Sequence, residues 1–293
     1  MPSRRRFLAI AAAAIAAPGV SHAETWRGTA LGADAAITLS GPRHEVAPAL
    51  AVARETLERM EALFSLYRAD SVLSRLNATG RLDAPDADFA ALMGLCERVF
   101  AATAGRFDPT VQPLWRALAE GGDTRAAAAR IGWGRVTTAP DVQLGEGQAL
   151  TLNGIAQGFA SDRVAEALAA AGFTRALVNI GEMRALGGPW RIGIEDHAQG
   201  LIGQVSLSGG AIATSSPGAL FLPGGASHIL DPLSGGLKTP LWSSVSVEAD
   251  TAALADALST AICLMPREEI EALDVAGLRK VRLVDRAGDM MTL

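Results

Sequence analysis

The spacing of apolar residues divides the chain into a helical first part and a strand-rich second part. Helical periodicity predicts two long amphipathic helices, over residues 45–66 and 88–104. From Arg175 the period changes to two, which predicts successive strands separated by glycine turns, in the segments RALVNIG, WRIGIED, GQVSLSG and GAIATS. The later segment DTAALADALSTAICLM predicts another helix, capped by Asp250 and ended by Pro266.

The order of these elements indicates the fold class. The predicted strands cluster after residue 175, with helices before and after them. This order favours an α+β fold with an antiparallel sheet over a doubly wound α/β fold. The chain shows no repeat of fixed period and no linker rich in Pro, Gly or Ser. We therefore predict one compact domain, over residues 24–293.

The N-terminal residues resemble an export signal. Three arginines at positions 4, 5 and 6 precede an apolar run over residues 7–17, and small residues at Ser21 and Ala23 suit cleavage after Ala23. The SRRRFL segment is similar to the twin-arginine type. An uncleaved membrane anchor is the alternative, but the run is shorter than the about 20 residues that span a bilayer. We predict a twin-arginine signal peptide over residues 1–23 and a periplasmic location.

Charge and cysteine content narrow the possible functions. Cleavage after Ala23 would leave 23 basic and 31 acidic residues, a net charge of −8. Such an acidic protein is a poor candidate for binding nucleic acid. Cys96 and Cys263 lie in apolar helical patterns without the spacing of a metal site. Two buried free thiols are the favoured interpretation, and a disulfide is the alternative that export permits.

Two polar features in the second part could carry chemistry. Asp256 and Thr260 are four positions apart on a predicted helix, with Ser259 beside them, so their oxygens share one face. Carboxylate and hydroxyl oxygens suit Mg²⁺; a solvent-facing polar stripe is the alternative. His228, in the loop GGASHILDPLSGG, could act as a general base near neutral pH. An idle histidine in a surface turn is the alternative there.

The segment TLNGIAQGFASDRVAEAL forms a third candidate, between residues 151 and 168. A strand is predicted to end at Leu152, the chain turns at Asn153 and Gly154, and a helix is predicted to begin near Ser161. Gly158 would let the backbone approach another group closely. A glycine-rich entry to a helix is a natural anion site, although the lack of Lys excludes a P-loop. A packed turn is the alternative.

Several segments in this order resemble one known family. They are SLYRADSVLSRLN, GRFDPTVQPL, NGIAQGFASDRVAEAL, LVNIGEMRALG, SHILDPLSGG and ADALSTA. Together they resemble the ApbE family, the FAD:protein FMN transferases, and the TLNGIAQG and NIGE segments are similar to its NosX-type branch. The resemblance covers nearly all of the chain after residue 23. It implies a single α+β, T-fold-related domain.

The resemblance also implies an activity and a site. Members bind FAD with Mg²⁺ and transfer FMN to a Ser or Thr hydroxyl of an acceptor protein, releasing AMP; some hydrolyse FAD instead. For the NosX-type branch, it implies a membrane-bound respiratory acceptor linked to nitrous oxide reduction. His228 would be the base. The matching metal ligands are Gly154, through its carbonyl, with Asp256, Ser259 and Thr260. The matching FAD contacts are Leu31, Tyr67, Arg106, Phe107, Asp108, Gln157 and Leu230.

The chain departs from the family pattern at charged positions. It has Gln157 where Lys is common and Thr151 where a carboxylate is common, and ATSSPGALF lacks the usual Tyr and Arg. The NIGE segment has one Gly where two are usual. These losses remove charged contacts to the nucleotide. They motivate a second hypothesis, a non-catalytic flavin carrier or assembly factor. An FAD pyrophosphatase is a third hypothesis.

Overall fold

The computed structural model describes residues 23–236 and 238–293. The first 22 residues of the predicted signal peptide lie outside this part of the chain. The strands β1 to β12 are Ala23–Ala30, Ala33–Ser40, Arg81–Leu82, Val142–Gln143, Ala176–Ile180, Met183–Leu186, Trp190–Asp196, Gly200–Leu207, Ala211–Ser215, Ser244–Ala249, Leu278–Val284 and Met290–Thr292. The helices α1 to α8 are Arg43–Phe64, Val72–Thr79, Ala87–Ala102, Gln112–Glu120, Thr124–Ala128, Ala156–Ala170, Ala252–Ile262 and Arg267–Glu271.

An antiparallel sheet forms the centre of the fold. Within the described residues it has eight strands, in the order β1-β2-β5-β6-β9-β10-β11-β12. Strands β3 with β4, and β7 with β8, pair separately as two small sheets. The mixture of helices with an antiparallel sheet confirms the predicted α+β class.

The two faces of the large sheet bury different clusters. On one face, side chains such as Ile37, Val178 and Val247 pack against α1, α6 and α7 in the main core. On the other face, Leu177 and Met183 pack against the β7–β8 hairpin in a smaller core. Alternate residues of a strand point to opposite faces, so one strand supplies both clusters. The helices of the first face carry the candidate functional residues.

Helix α6 differs from its predicted form. It begins at Ala156, five residues before the predicted start near Ser161, and the strand predicted to end at Leu152 is absent from the described structure. The glycine at position 158 lies inside the helix and allows α7 to come very close. A Cβ at Gly158 would lie 2.3 Å from the carbonyl oxygen of Ala252. Gly158 thus makes the close approach expected of it, from within a helix.

Helix α7 is held at its N-terminus by α6. Asp162 accepts hydrogen bonds from the backbone N–H groups of Ala252, at 2.8 Å, and Ala253, at 2.9 Å. The Nε of Arg184 lies 3.1 Å from the same carboxylate. Burial raises the pKa of Asp162 to about 6. These contacts satisfy N–H groups that a helix start leaves unpaired, so they fix where α7 begins.

The cap of α7 also differs from the prediction. The hydroxyl of Thr251, rather than the carboxylate of Asp250, accepts the capping hydrogen bond, from the N–H of Leu254 at 3.3 Å. Asp250 instead pairs with Arg279 at 2.6 Å. Both residue types are good N-caps, and the sequence pattern does not separate neighbouring candidates.

Both cysteines are free and buried, as predicted. Cys96 lies in α3 and Cys263 directly follows α7. Burial raises the pKa of both thiols far above the ordinary value. In the part of the chain that the structure describes, no helix is long and apolar enough to cross a membrane.

Candidate functional site

Asp256 is buried where α7 meets the start of α6. Its side chain is 3% exposed, and its Oδ2 accepts a hydrogen bond from the backbone N–H of Gly158 at 3.1 Å. The solvent-facing alternative for this residue is therefore wrong. Burial raises the pKa of Asp256, although the hydrogen bond from Gly158 opposes the shift. The N-terminal end of α6, with its partial positive charge, faces this carboxylate.

Three hydroxyl groups lie close together near the C-terminal half of α7. The Oγ of Ser259 donates to the carbonyl oxygen of Asp256 at 2.9 Å and lies 2.8 Å from the Oγ of Ser215. The same Ser215 oxygen lies 3.4 Å from the Oγ1 of Thr260. A Cβ at Gly154 would lie 3.0 Å from that Thr260 oxygen, so the backbone at Gly154 packs against it. The four predicted metal-ligand residues therefore lie together.

Glu182 is a buried acid that the sequence motifs do not single out. It lies in the turn between β5 and β6 and is 7% exposed. Its Oε2 accepts a hydrogen bond from the N–H of Thr214 at 3.2 Å, and its carbonyl oxygen accepts one from Ser161 Oγ at 2.8 Å. Burial and the charge of Asp256 raise its pKa well above the ordinary value. Its one sign in the sequence is that it is the acidic residue of the NIGE segment.

Ser215 is a second residue of this cluster that the sequence motifs do not single out. It ends β9, and only the folded sheet brings it next to Ser259. The sequence separation of 44 residues between them carries no periodic signal. The ATS sequence at the end of a predicted strand was the only local sign.

The donor set around Asp256 fits a hard divalent cation. Among the described residues, no group of three or more His, Cys, Asp and Glu side chains could hold a metal, so carboxylates alone do not form a site. Besides the Asp256 carboxylate, the site offers the hydroxyl oxygens of Ser259 and Thr260 and the backbone at Gly154. Oxygen ligands of this mixed kind are what Mg²⁺ takes, usually together with water and phosphate.

Three predicted FAD contacts lie beside this cluster. The Nε2 of Gln157, in the first turn of α6, donates to the carbonyl oxygen of Leu31 at 3.2 Å. Leu31 lies in the turn between β1 and β2 with a φ of +49°. Next to it, a Cβ at Gly32 would lie 2.7 Å from the ring of Tyr67, which is 57% exposed. Leu31 therefore contacts Gln157, and Tyr67 packs beside the adjacent Gly32.

The side chains of Arg106, Phe107 and Asp108 make their contacts within the protein. Arg106 donates to Glu269 at 3.1 Å, and Phe107 is buried in the main core. Asp108 accepts from Thr110 N–H at 2.8 Å and Trp133 N–H at 3.1 Å. These bonds fix the loop between α3 and α4. The contacts of Arg106, Phe107 and Asp108 with FAD stay predictions.

His228 lies on a short hairpin that follows Ser215. Its backbone N–H donates to the carbonyl oxygen of Leu220 at 3.1 Å, and its Nδ1 lies 3.1 Å from the same oxygen. A carbonyl oxygen can only accept, so this contact places the proton of the neutral ring on Nδ1 and leaves Nε2 as a proton acceptor. Burial lowers the pKa of His228 from its ordinary value. The hairpin is tied back by Ser227, which donates to the carbonyl oxygen of Pro217 at 2.9 Å.

Leu230 follows His228 and lies in a small apolar cluster. It is buried with Leu114, Ala127 and Leu222, which join the His228 hairpin to helices α4 and α5. This packing anchors the loop. The predicted contact of Leu230 with FAD is not tested by it.

A known protein family matches most of the chain. The sequence model of the ApbE family matches residues 31–281, which include every candidate site residue named above. The chain belongs to the ApbE family.

The chain matches its curated relatives over most of their length. The FAD:protein FMN transferase of Haemophilus influenzae is 28% identical over 253 residues, 75% of this chain and 72% of that protein. The FAD:protein FMN transferase of Escherichia coli K12 is 27% identical over 271 residues, 80% of this chain and 75% of that protein. Members of the ApbE family with this name are enzymes that transfer flavin.

Solved ApbE structures have the same fold. The ApbE protein of Thermotoga maritima matches with a TM-score of 0.83 and 26% identity, over 92% of this chain and 96% of that chain. The apo form of the Pseudomonas stutzeri flavinyl transferase ApbE matches with a TM-score of 0.78 and 28% identity, over 93% and 94%. The single α+β domain predicted from the sequence is confirmed.

Proposed function

We propose that this chain is a Mg²⁺-dependent FAD:protein FMN transferase that joins FMN to a Ser or Thr hydroxyl of an acceptor protein and releases AMP. The observation that carries the proposal is the buried carboxylate of Asp256 on the helix that also carries the hydroxyls of Ser259 and Thr260, with Thr260 packed against Gly154. Such a site suits a cation that also binds the two phosphates of FAD.

Each group of residues has a role in this reaction. Asp256, Ser259, Thr260 and the Gly154 carbonyl would hold Mg²⁺, which when bound neutralises charge on the phosphate oxygens. Leu31, Tyr67 and Gln157 would place the flavin end of FAD beside that site. The Nε2 of His228 would take the proton of the acceptor hydroxyl, which is a weak nucleophile without a base. The hydroxyl oxygen bonds the FMN phosphorus, and the bond to the AMP oxygen breaks.

The location and the acceptor belong to the same proposal. The twin-arginine segment at the N-terminus supports export to the periplasm. The similarity of TLNGIAQG and NIGE to the NosX-type branch supports a membrane-bound respiratory acceptor, such as a protein of nitrous oxide reduction. The acidic charge supports a protein rather than a nucleic acid partner.

One assay tests the activity. The purified protein is incubated with FAD and Mg²⁺, with and without an acceptor domain that carries a Ser or Thr target, and AMP and covalently bound flavin are measured. The proposal expects equal amounts of both, formed only with acceptor, and none with Asp256→Ala. AMP without acceptor would indicate a pyrophosphatase. Tight flavin binding with no AMP and no covalent flavin would indicate a carrier, and either result would overturn the proposal.

A further inference from the structure

Glu182 lies in a turn that packs on the start of helix α6, the helix that also binds the Asp256 carboxylate. The turn that carries it packs on the first turn of α6, since a Cβ at Gly181 would lie 2.7 Å from Oε1 of Gln157. The hydroxyl of Ser161, further along α6, donates to the carbonyl oxygen of Glu182 at 2.8 Å. Two contacts with α6 therefore fix the backbone of this acid.

The carboxylate of Glu182 is directed to the end of β9. Strand β6 pairs with β9 at Met183 and Arg184 and then stops, and the Oε2 of Glu182 accepts the N–H of Thr214 at 3.2 Å. The next residue, Ser215, presents its hydroxyl to Ser259 at 2.8 Å and to Thr260 at 3.4 Å. The Glu182 carboxylate thus binds the residue next to Ser215, whose hydroxyl contacts the predicted metal ligands Ser259 and Thr260.

Hydrogen bonds, together with the chain itself, form a closed ring that links α6, α7, the end of β9 and the turn between β5 and β6. Asp256 is bound to Gly158 of α6, Ser259 to Asp256 and Ser215, and Glu182 to the chain beside Ser215. Ser161 of α6 then completes the ring at Glu182. These bonds fix two acids beside the hydroxyls of Ser215 and Ser259, Asp256 on helix α7 and Glu182 in the turn before β6.

The charges inside the ring are not balanced by the protein. Across the described residues, neither Asp256 nor Glu182 forms an ion pair with Arg or Lys. The nearby Arg184 pairs with Asp162 at 3.1 Å. Buried carboxylates are rare unless they are paired or coordinate a metal. Two of them around one set of hydroxyls match the double charge of a divalent cation.

We propose that Glu182 is the second acidic residue of the Mg²⁺ site, with Ser215 orienting the hydroxyls between the two acids. The inference rests on the metal site of the proposed function and adds a residue to it. It gives the site one negative charge from the sheet and one from the helix.

A purely structural role for Glu182 makes a different prediction. If the side chain only accepts the Thr214 N–H, then Glu182→Gln keeps an acceptor oxygen of the same size and position, and cation binding does not change. If the side chain supplies charge, Glu182→Gln relieves an unbalanced buried charge in the metal-free protein but weakens the cation site.

The experiment measures Mg²⁺ affinity by calorimetry and melting temperature with and without Mg²⁺, with no FAD present. It compares the full-length protein with Glu182→Gln, Glu182→Asp, Asp256→Asn and the exposed control Glu120→Gln. For Glu182→Gln we expect a metal-free melting temperature equal to or above wild type and a Mg²⁺ affinity at least about tenfold lower. Glu182→Asp, which keeps the charge, retains more affinity than Glu182→Gln, and Glu120→Gln behaves as wild type.

The outcomes separate the two proposals. Unchanged Mg²⁺ affinity in Glu182→Gln, with affinity lost in Asp256→Asn, would overturn the role of Glu182 and leave the proposed metal site standing. A lower metal-free melting temperature or failure to fold in Glu182→Gln would show a structural role and overturn it as well. A wild-type protein that binds no Mg²⁺ would overturn the metal site and, with it, this inference.

Discussion

At the scale of a single residue, His228 has two properties of a general base. The contact of its Nδ1 with the Leu220 carbonyl leaves Nε2 free to accept a proton, and burial lowers its pKa below the ordinary value near 6.5. A lowered pKa keeps the ring neutral at pH 7. The rate is therefore expected to be flat around neutral pH and to fall only as pH drops through the lowered pKa.

Replacing this histidine tests that role. The amide of Gln is not a base, and we expect His228→Gln to lower the flavin transfer rate by about 10²–10⁴-fold and to abolish the acidic fall in rate. FAD binding is expected to stay unchanged. The exposed His44→Gln serves as control and keeps the wild-type profile. An acidic fall that persists in His228→Gln would assign it to another group.

The sequence predicted some site residues better than others, for physical reasons. Asp256 and Thr260 are one helical turn apart, so their shared face follows from the helix itself. Glu182 and Ser215 meet the same site through strand pairing, which no local spacing encodes. Motif similarity located Gly154 and Gln157, and the contacts with Thr260 and Leu31 required the fold.

At the scale of elements, the contact between α6 and α7 positions the residues of the proposed cation site. A Cβ at Gly158 would lie 2.3 Å from the carbonyl oxygen of Ala252, and backbone cannot move aside as a flexible side chain can. We expect Gly158→Ala to separate the helices and lower the free energy of unfolding by about 1–3 kcal/mol or more. Urea unfolding measures the change, and Mg²⁺ affinity should fall with it.

A second helix glycine provides the matched control. A Cβ at Gly94 of α3 would meet only the end of the Arg98 side chain, at 3.8 Å. Gly94→Ala is expected to stabilise the protein by about 0.5–1 kcal/mol, because alanine is the better helix former. Equal effects of the two substitutions would mean that the helix contact at Gly158 is looser than described.

Element boundaries show where sequence patterns are informative. The long amphipathic helices were predicted closely, since α1 and α3 bury one regular stripe each. The start of α6 was placed too late because the glycine at 158, which reads as a helix breaker, is required there by packing. Strands β1 and β6 were missed, the first being largely exposed and the second only four residues long.

At the scale of the whole molecule, the buried thiols report on the integrity of the fold. Cys96 and Cys263 are free and inaccessible, and their raised pKa values keep them protonated. A thiol reagent such as DTNB is expected to label neither in the native protein at pH 8, except at the rate of unfolding. In denaturant without reductant it should label two thiols. Rapid native labelling, or none in denaturant, would contradict the structure.

The fold class followed from the order of helices and strands, but the order of strands in the sheet did not. Strand β5 pairs with β2, and β9 lies between β6 and β10. These neighbours are far apart along the chain, and their pairing depends on how the two faces of the sheet are filled. Patterns of period two predict that a strand exists and leave its partner open.

The cap that Asp162 places on helix α7 joins residues 90 positions apart. Contacts over such distances form late in folding, because the intervening chain must be ordered first. A chain interrupted between β5 and β10 holds Asp162 and Gly158 on one fragment and Asp256 on the other. Neither fragment has the whole candidate cation site. Cation binding would therefore stabilise the completed protein and none of its partly made forms, which makes metal affinity a measure of whether synthesis and folding have finished.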